Sequence, residues 1–366
     1  MSLSVGIVGL PNVGKSTLFN ALTRAQNAKA ENFPFCTIEP NTAVVPVPDQ
    51  RLAVLTDMVH PQQTIHATVE FTDIAGLVRG ASKGEGLGNK FLANIRDANA
   101  ILEVVRCFED QDIVHVEGSV DPVRDVGIIE SELILSDLEI VEARIARLSK
   151  VARSDPKARP ELDALEALKD HLYGGKPVRT FPGHADEALQ TALLEGRYLS
   201  DKPVVYVANV SEDAITEDNA HAAALRAHAA SVGSECVRIC AAVEQDMAGL
   251  DDAERDEFLA SYGIAESGLD VIVKTSYATL GLASFLTAGP KEVRAWTFRR
   301  GWKAPKCAGV IHSDFERGFI RAKVVPYEDF VRLGGEAACR EAGLIREEGK
   351  EYEMKDGDMV EFLFNV

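Results

Sequence analysis

The chain of 366 residues has few cysteines and no arrangement of them that builds a site. Its six thiols, Cys36, Cys107, Cys236, Cys240, Cys307 and Cys339, contain no C-x-x-C pair. That spacing argues against a zinc knuckle and a disulfide framework and is what reduced cytosolic cysteines look like. Cys236 and Cys240 read as small core residues of one strand. No apolar run is long enough to span a bilayer, and the N-terminus lacks a signal-peptide pattern, so a cytoplasmic protein without a membrane partner is expected. Internal repeats and low-complexity stretches are absent as well. Positive charge is scarce: 39 Lys and Arg face 57 Asp and Glu, and a net charge of −18 excludes wholesale coating of nucleic acid. The exceptions are local. Between Glu139 and Pro160 six basic residues outnumber three acidic ones, and from Phe285 to Val366 the two signs balance at 14 each. Any contact with RNA belongs at these two places.

Against these absences stands Gly9-Leu10-Pro11-Asn12-Val13-Gly14-Lys15-Ser16-Thr17, a complete G-x-x-x-x-G-K-[ST] loop. The apolar run Val5-Gly6-Ile7-Val8 before it reads as a buried strand, and Thr17 to Leu22 after it reads as a helix. Glycines let the backbone wrap a phosphate chain with its N–H groups inward, and the helix N-terminus adds partial positive charge. In this pattern Lys15 reaches the β- and γ-phosphates and Ser16 holds Mg²⁺. Asn12 is placed to help a monovalent cation such as K⁺ beside the phosphates; hydrolysis indifferent to K⁺ versus Na⁺ would remove that idea.

Roughly the first 125 residues alternate strand and helix patterns, as an α/β nucleotide-binding sheet does. Val69–Thr72 and Ala100–Val105 read as further strands. The period then changes. Ile134, Leu138, Val141, Ile145 and Leu148 form a heptad seam, and Leu162, Leu165, Leu168 and Leu172 give a returning helix after Ser154-Asp155-Pro156. An antiparallel helical hairpin inserted in the sheet domain is expected, and because it uses its own seam a monomer suffices. The sheet resumes at Pro203–Ala208 and continues through Cys236–Cys240. Beyond Leu282–Ala288, short strands such as Val293–Phe298 and Met359–Phe364 indicate a separate β-rich module. The expected boundaries are 1–130 with 200–282 for the nucleotide-binding part, 131–199 for the hairpin and 283–366 for the module.

Asp73-Ile74-Ala75-Gly76 follows a strand, so Asp73 can hold Mg²⁺ through water while the Gly76 N–H senses the γ-phosphate. Thr37, the hydroxyl in Asn32–Pro40, is placed to reach Mg²⁺ and γ-phosphate from a second switch. The glycine-dense stretch Leu77–Gly88 suits a segment whose order depends on that phosphate. Two departures matter. Guanine-specific proteins of this class carry Asn-Lys-x-Asp after a late strand. Here Asn209-Val210-Ser211-Glu212 lacks the lysine and replaces the aspartate by Glu212, which removes the reason to prefer GTP and makes adenine plausible. Leu77 stands where many GTPases orient water with glutamine. His115, in the polar loop after Ala100–Val105, is the local candidate for that task; a solvated loop histidine is an equally good reading.

Taken together, Gly9–Thr17, Asn32–Asn41, Asp73–Val78, Gly80–Asn89 and the C-terminal Phe-Leu-Phe-Asn-Val resemble the Obg-like ATPase family, YchF type, of the P-loop translation-factor class. The resemblance covers essentially the whole chain. It implies a P-loop G domain with a mostly parallel sheet, an inserted antiparallel helical hairpin (coiled coil) and a C-terminal β-grasp-like TGS domain. Mg²⁺-dependent ATP binding, slow hydrolysis and the ribosome as partner are implied too. By motif position it puts residues 12–17 (Asn12, Val13, Gly14, Lys15, Ser16, Thr17) on the phosphates, Ser16 and Thr37 on Mg²⁺, Asn209 and Val210 beside the adenine, and His115 at the loop histidine of catalysis. Two surfaces suit a ribosome: the basic arm from Arg144 to Arg159, and Trp296–Lys306, where aromatics interleave with cations. In the latter, Trp296 reads as core and Arg299 and Arg300 as RNA contacts. A conventional GTPase, and a nucleotide-gated binding protein with negligible turnover, are the competing readings.

Overall fold

The computed structural model describes residues 3–28, 41–74 and 87–365. In chain order the first elements are β1 (Ser4–Val8), α1 (Lys15–Ala28), β2 (Thr42–Pro46), α2 (Gln50–Val59), β3 (Gln63–Ile65), β4 (Thr68–Asp73), α3 (Leu87–Asp97) and β5 (Ala100–Arg106). Three helices follow, α4 (Pro122–Val151), α5 (Arg159–Tyr173) and α6 (Glu187–Gly196). The sheet elements then resume with β6 (Val204–Asn209), α7 (Ala220–Ser231), β7 (Glu235–Ile239), α8 (Ala241–Met247), α9 (Asp252–Ser261) and α10 (Gly268–Thr279). Last come β8 (Leu282–Ala288), β9 (Glu292–Arg299), α11 (Ala304–Ile311), α12 (Ser313–Arg317), β10 (Phe319–Pro326), α13 (Tyr327–Leu333), α14 (Glu336–Glu341), β11 (Arg346–Glu348) and β12 (Asp358–Phe364). They form two compact units, one from Met1–Arg24, Glu39–Ala43 and Glu70–Ile272, the other from Ala25–Ile38, Val44–Val69 and Val273–Val366. No helix among the described residues is long and apolar enough to cross a membrane.

One sheet has the order β2-β4-β1-β5-β6-β7, and its strands β1, β5, β6 and β7 lie in the first unit. Its pairs β4–β1, β1–β5, β5–β6 and β6–β7 are all parallel. A parallel strand covered on both faces is mostly apolar, and all seven residues of β5 are buried, Glu103 and Arg106 among them. Register aligns the strand ends: Ile7 faces Asp73, Arg106 faces Asn209, and Asn209 faces Ile239. In sheets of this kind the ligand crevice opens outside those carboxyl ends.

α4 starts under Asp121, which caps the Arg124 N–H, with Pro122 in the first turn. It therefore begins inside the range expected for the nucleotide-binding part. Its seam residues Ile134 and Val141 are buried with Leu165, Leu168 and Leu172 of α5, and Leu138, Ile145 and Leu148 pack against them. Each fully buried leucine contributes about 1.5–3 kcal/mol. The expected hairpin is thus present, with a third helix added: Leu189, Ala192 and Leu193 of α6 join the same cluster. Arg144 bonds Glu161 at 2.6 Å and Glu195 at 2.7 Å. That side chain braces the arm, while Arg147, Lys150, Arg153 and Lys157 are exposed.

The second unit has the sheet order β11-β10-β12-β8-β9-β3. β8 and β9 form an antiparallel hairpin, α11 and α12 follow, and β12 returns parallel to β8. This is the expected β-grasp arrangement. Its core joins Phe285, Phe298, Phe319 and Phe362 with Ala304, Cys307 and Ala308 of α11. Trp296 is half-buried: its ring stacks on Phe285 and carries the Arg294 guanidinium 3.7 Å above its centroid. Arg299 and Arg300 are exposed at the turn after β9. One strand comes from far away in sequence. β3 pairs in parallel with β9 through Gln63–Glu292, Thr64–Val293 and Ile65–Arg294, so α2 and β3 belong to this unit.

Candidate functional site

The loop between β1 and α1 needs glycine at two points for different reasons. At Gly9 a Cβ would stand 2.7 Å from the Val104 carbonyl oxygen. Gly14 has φ +93°, a left-handed conformation, and a Cβ there would meet Asn209 Nδ2 at 2.2 Å. Asn12 also sits at positive φ, 62°, which asparagine tolerates better than most residues. Lys15, the first residue of α1, bonds the carboxylate of Asp73 at the end of β4.

Asn209 holds this loop to the rest of the sheet edge. Its Nδ2 donates to the Val13 carbonyl at 2.8 Å, and its Oδ1 accepts from the Ala241 N–H at 3.0 Å. The side chain is buried. A buried amide satisfied at both ends fixes the spacing between the phosphate loop and the start of α8.

A crevice of about 890 Å³ opens at these strand ends. Of the residues expected to bind nucleotide, Asn12, Gly14, Lys15, Ser16, Thr17, Asn209, Val210 and Glu212 line it. Val13 lies beneath the loop, buried, and contributes its carbonyl to Asn209. Asp73 is brought to the site through Lys15. Thr37 and Gly76 fall outside the described residues. Phe108, Cys240, Ala242, Asp246 and Tyr262 also line the crevice and were not singled out from the sequence. Cys240 is not a strand residue: it follows β7 and caps α8. A loop after β7 on the same sheet edge was a signal that could have found it; nothing local points to Tyr262.

The structure does not bring His115 into the crevice. Its ring is 8% exposed, its Nε2 lies 2.9 Å from Asp125 Oδ2, and its Nδ1 accepts the Glu117 N–H at 3.1 Å. With Nδ1 accepting, Nε2 is the nitrogen left to donate to Asp125. The residue is therefore neither solvated nor facing the loop. It is tethered near the site all the same: Asn12 Nδ2 donates to the Val114 carbonyl at 3.1 Å. Arg106, 1% exposed at the end of β5, shapes the same segment by donating to the carbonyls of Phe108, Asp110 and Ile113 at 2.9–3.1 Å. A fully buried guanidinium with three carbonyl acceptors replaces the hydration it loses.

The polar lining divides by charge. Lys15 and the amides of the α1 N-terminus supply its positive side, and Glu109, Asp110, Glu212 and Asp246 its negative side. Glu212 follows β6, which β5 separates from β1 in the sheet. Phosphates suit the first region. A base that presents N–H donors suits the second.

Known proteins resemble this chain over its whole length. The family model YchF-GTPase_C, described as a protein of unknown function, matches residues 282–365, and a model described as 50S ribosome-binding GTPase matches residues 4–134. The protein named "Ribosome-binding ATPase YchF" of Bacillus subtilis (strain 168) is 53% identical over 369 residues, covering 100% of both chains. The protein of that name in Escherichia coli O157:H7 is 52% identical over 367 residues, again covering 100% of both. A solved structure, "Structure of the Schizosaccharomyces pombe YchF GTPase", superposes with a TM-score of 0.89 at 36% identity, covering 99% of this chain and 98% of that one. With sequence, length and fold in agreement, the chain belongs to the YchF family.

Proposed function

We infer that the chain is a nucleotide-dependent switch that associates with the ribosome and that its nucleotide is ATP, hydrolysed slowly at the γ-phosphate. The observation that carries this reading is one crevice holding a complete phosphate loop and, two strands away, Glu212 where guanine-specific proteins have aspartate after lysine. The printed names of relatives divide between ATPase and GTPase, so the residues have to decide. Without the lysine and the shorter acid, nothing in Asn209–Glu212 favours guanine.

Mg²⁺ fits the residues present. The Asp73 carboxylate, held by Lys15, and the Ser16 hydroxyl at the start of α1 are the hard oxygen donors this ion prefers. Ser16 and Thr37 would ligate it, with Asp73 acting through water. When bound, the ion supplies neutralisation of charge on the β- and γ-phosphates. Lys15 and the loop amides stabilise the charge that develops as water attacks phosphorus, and Gly76 offers its N–H to the γ-phosphate. Leu77 cannot orient water. His115 can do so only after its ring leaves Asp125, which is a physical reason for slow turnover. Asn12 Oδ1 remains available to a K⁺ ion.

The ribosome enters from the names of the Bacillus and Escherichia relatives. The exposed basic residues of the arm and of the turn at Arg299 and Arg300 support it, and a ribosome partner places the protein in the cytoplasm. One experiment tests the whole reading: single-turnover phosphate release from ATP, in Mg²⁺ or chelator, with and without purified ribosomes. Release should require Mg²⁺ and change when ribosomes are added. Release at the same rate in chelator, or no effect of ribosomes together with no co-sedimentation, would refute it.

A further inference from the structure

We propose that Tyr262 is a specificity-determining residue of the base site, disfavouring guanine by standing where its second N–H would approach the Glu212 carboxylate. The inference rests on the reading that Glu212 faces the base. Tyr262 follows α9 and lines the same crevice as the phosphate loop and Glu212. Its hydroxyl donates to Glu212 Oε1 at 2.8 Å. The ring is held in place by a packed frame. Phe258 lies 5.1 Å away between centroids, and both rings pack on the cluster of Cys240, Val243, Met247 and Leu259. The carboxylate beside it holds the phenol proton above its ordinary range, so the hydroxyl remains a donor near neutral pH.

The chemistry of the two bases does the rest. Guanine presents two adjacent donors, N1–H and the 2-amino group, and a carboxylate satisfies both by turning one oxygen to each, with both approaches unobstructed. Adenine presents a single 6-amino donor beside an acceptor ring nitrogen. Oε1 can still accept a second hydrogen bond, but the phenol 2.8 Å away stands in part of the space from which a second N–H would approach, and it leaves Oε2 open. That serves adenine. Guanine would bring a second N–H to an oxygen where the phenol already stands, and would forgo that charge-assisted hydrogen bond. No local sequence signal marks this role, because Tyr262 lies 50 residues beyond Glu212.

The test is competition binding of ATP, GTP and inosine triphosphate, with Mg²⁺, to the full chain and to its Tyr262→Phe and Glu212→Ala variants. Phenylalanine keeps the ring packing and removes only the hydroxyl. Tyr262→Phe should strengthen GTP relative to ATP by about tenfold, the worth of one charge-assisted hydrogen bond. Inosine triphosphate, which has N1–H but no 2-amino group, should gain less than GTP. If Glu212→Ala shifts the ATP:GTP ratio while Tyr262→Phe leaves it unchanged, or weakens all three nucleotides equally, the tyrosine is only a brace and the proposal is overturned. If neither variant moves the ratio, Glu212 does not read the base, and the underlying reading falls with it.

Discussion

Alanine at position 14 should reduce affinity for ATP and Mg²⁺ at least about 100-fold while leaving the fold in place. Two costs combine at Gly14. At φ +93° an L-residue is strained by roughly 1–2 kcal/mol. The new Cβ would also fall 2.2 Å from Asn209 Nδ2, the atom that fastens Val13, so the clash lands on the brace of the loop itself. Displacing that buried amide leaves the Val13 carbonyl and the Ala241 N–H without their partner, at about 1–3 kcal/mol each. Gly118 provides the control: it has φ +79° but open space where a Cβ would go. Gly118→Ala should incur the backbone strain alone and bind ATP normally. Calorimetric titration with parallel thermal melts checks both variants. Near-normal ATP affinity in Gly14→Ala would mean that the Asn209 brace does not shape the site.

Asp137→Ala should be the most destabilising change in the arm, by about 3–5 kcal/mol. The Asp137 side chain on α4 is fully buried and accepts from the Leu199 N–H at 2.7 Å, the Ser200 N–H at 2.7 Å and Ser200 Oγ at 2.6 Å. Ser200 Oγ in turn accepts from the Val178 N–H at 3.1 Å. One carboxylate thus ties the chain leaving α6 to the long helix, just before the sheet resumes at β6. Removing it strands two backbone donors and a hydroxyl inside the protein. Burial pushes the Asp137 carboxyl up to about 6 from the usual 3.8. The folded state then holds a proton that the unfolded chain has released. The stabilisation from this group is therefore full below about pH 4 and declines as pH rises to about 6. The destabilisation caused by Asp137→Ala should accordingly be larger near pH 4 than near neutrality, by up to about 3 kcal/mol. Urea melts of both proteins across that range measure it. A difference independent of pH would mean that Asp137 keeps an ordinary carboxyl.

The parts of this molecule that were legible in its sequence are those set by short-range pattern. Val5–Val8, the phosphate loop and the following helix are contiguous, and their spacing alone places Lys15 and Ser16. The seam from Ile134 to Leu148 repeats at helical period, so the arm was visible. Contacts made across long separations were not. β3 is three residues long and pairs with β9, and no local pattern says which sheet so short a strand will join. The family resemblance puts Asn209 beside the adenine; that its amide also spans from Val13 to Ala241, partners far apart in sequence, carries no local signal. His115 looked like a solvated or catalytic loop residue. Its burial depends on Asp125, which reads in sequence as an ordinary acidic residue of a helix's first turn. Tyr262 reaches the crevice only because α9 packs beneath Cys240.

The central claim is that Glu212 and its surroundings select adenine. Equilibrium competition between ATP and GTP for the purified protein, in Mg²⁺, tests it most directly. The account predicts that ATP binds more tightly, by about tenfold or more. Equal binding, or a preference for GTP, would contradict it and make the protein an ordinary GTPase with an altered base motif.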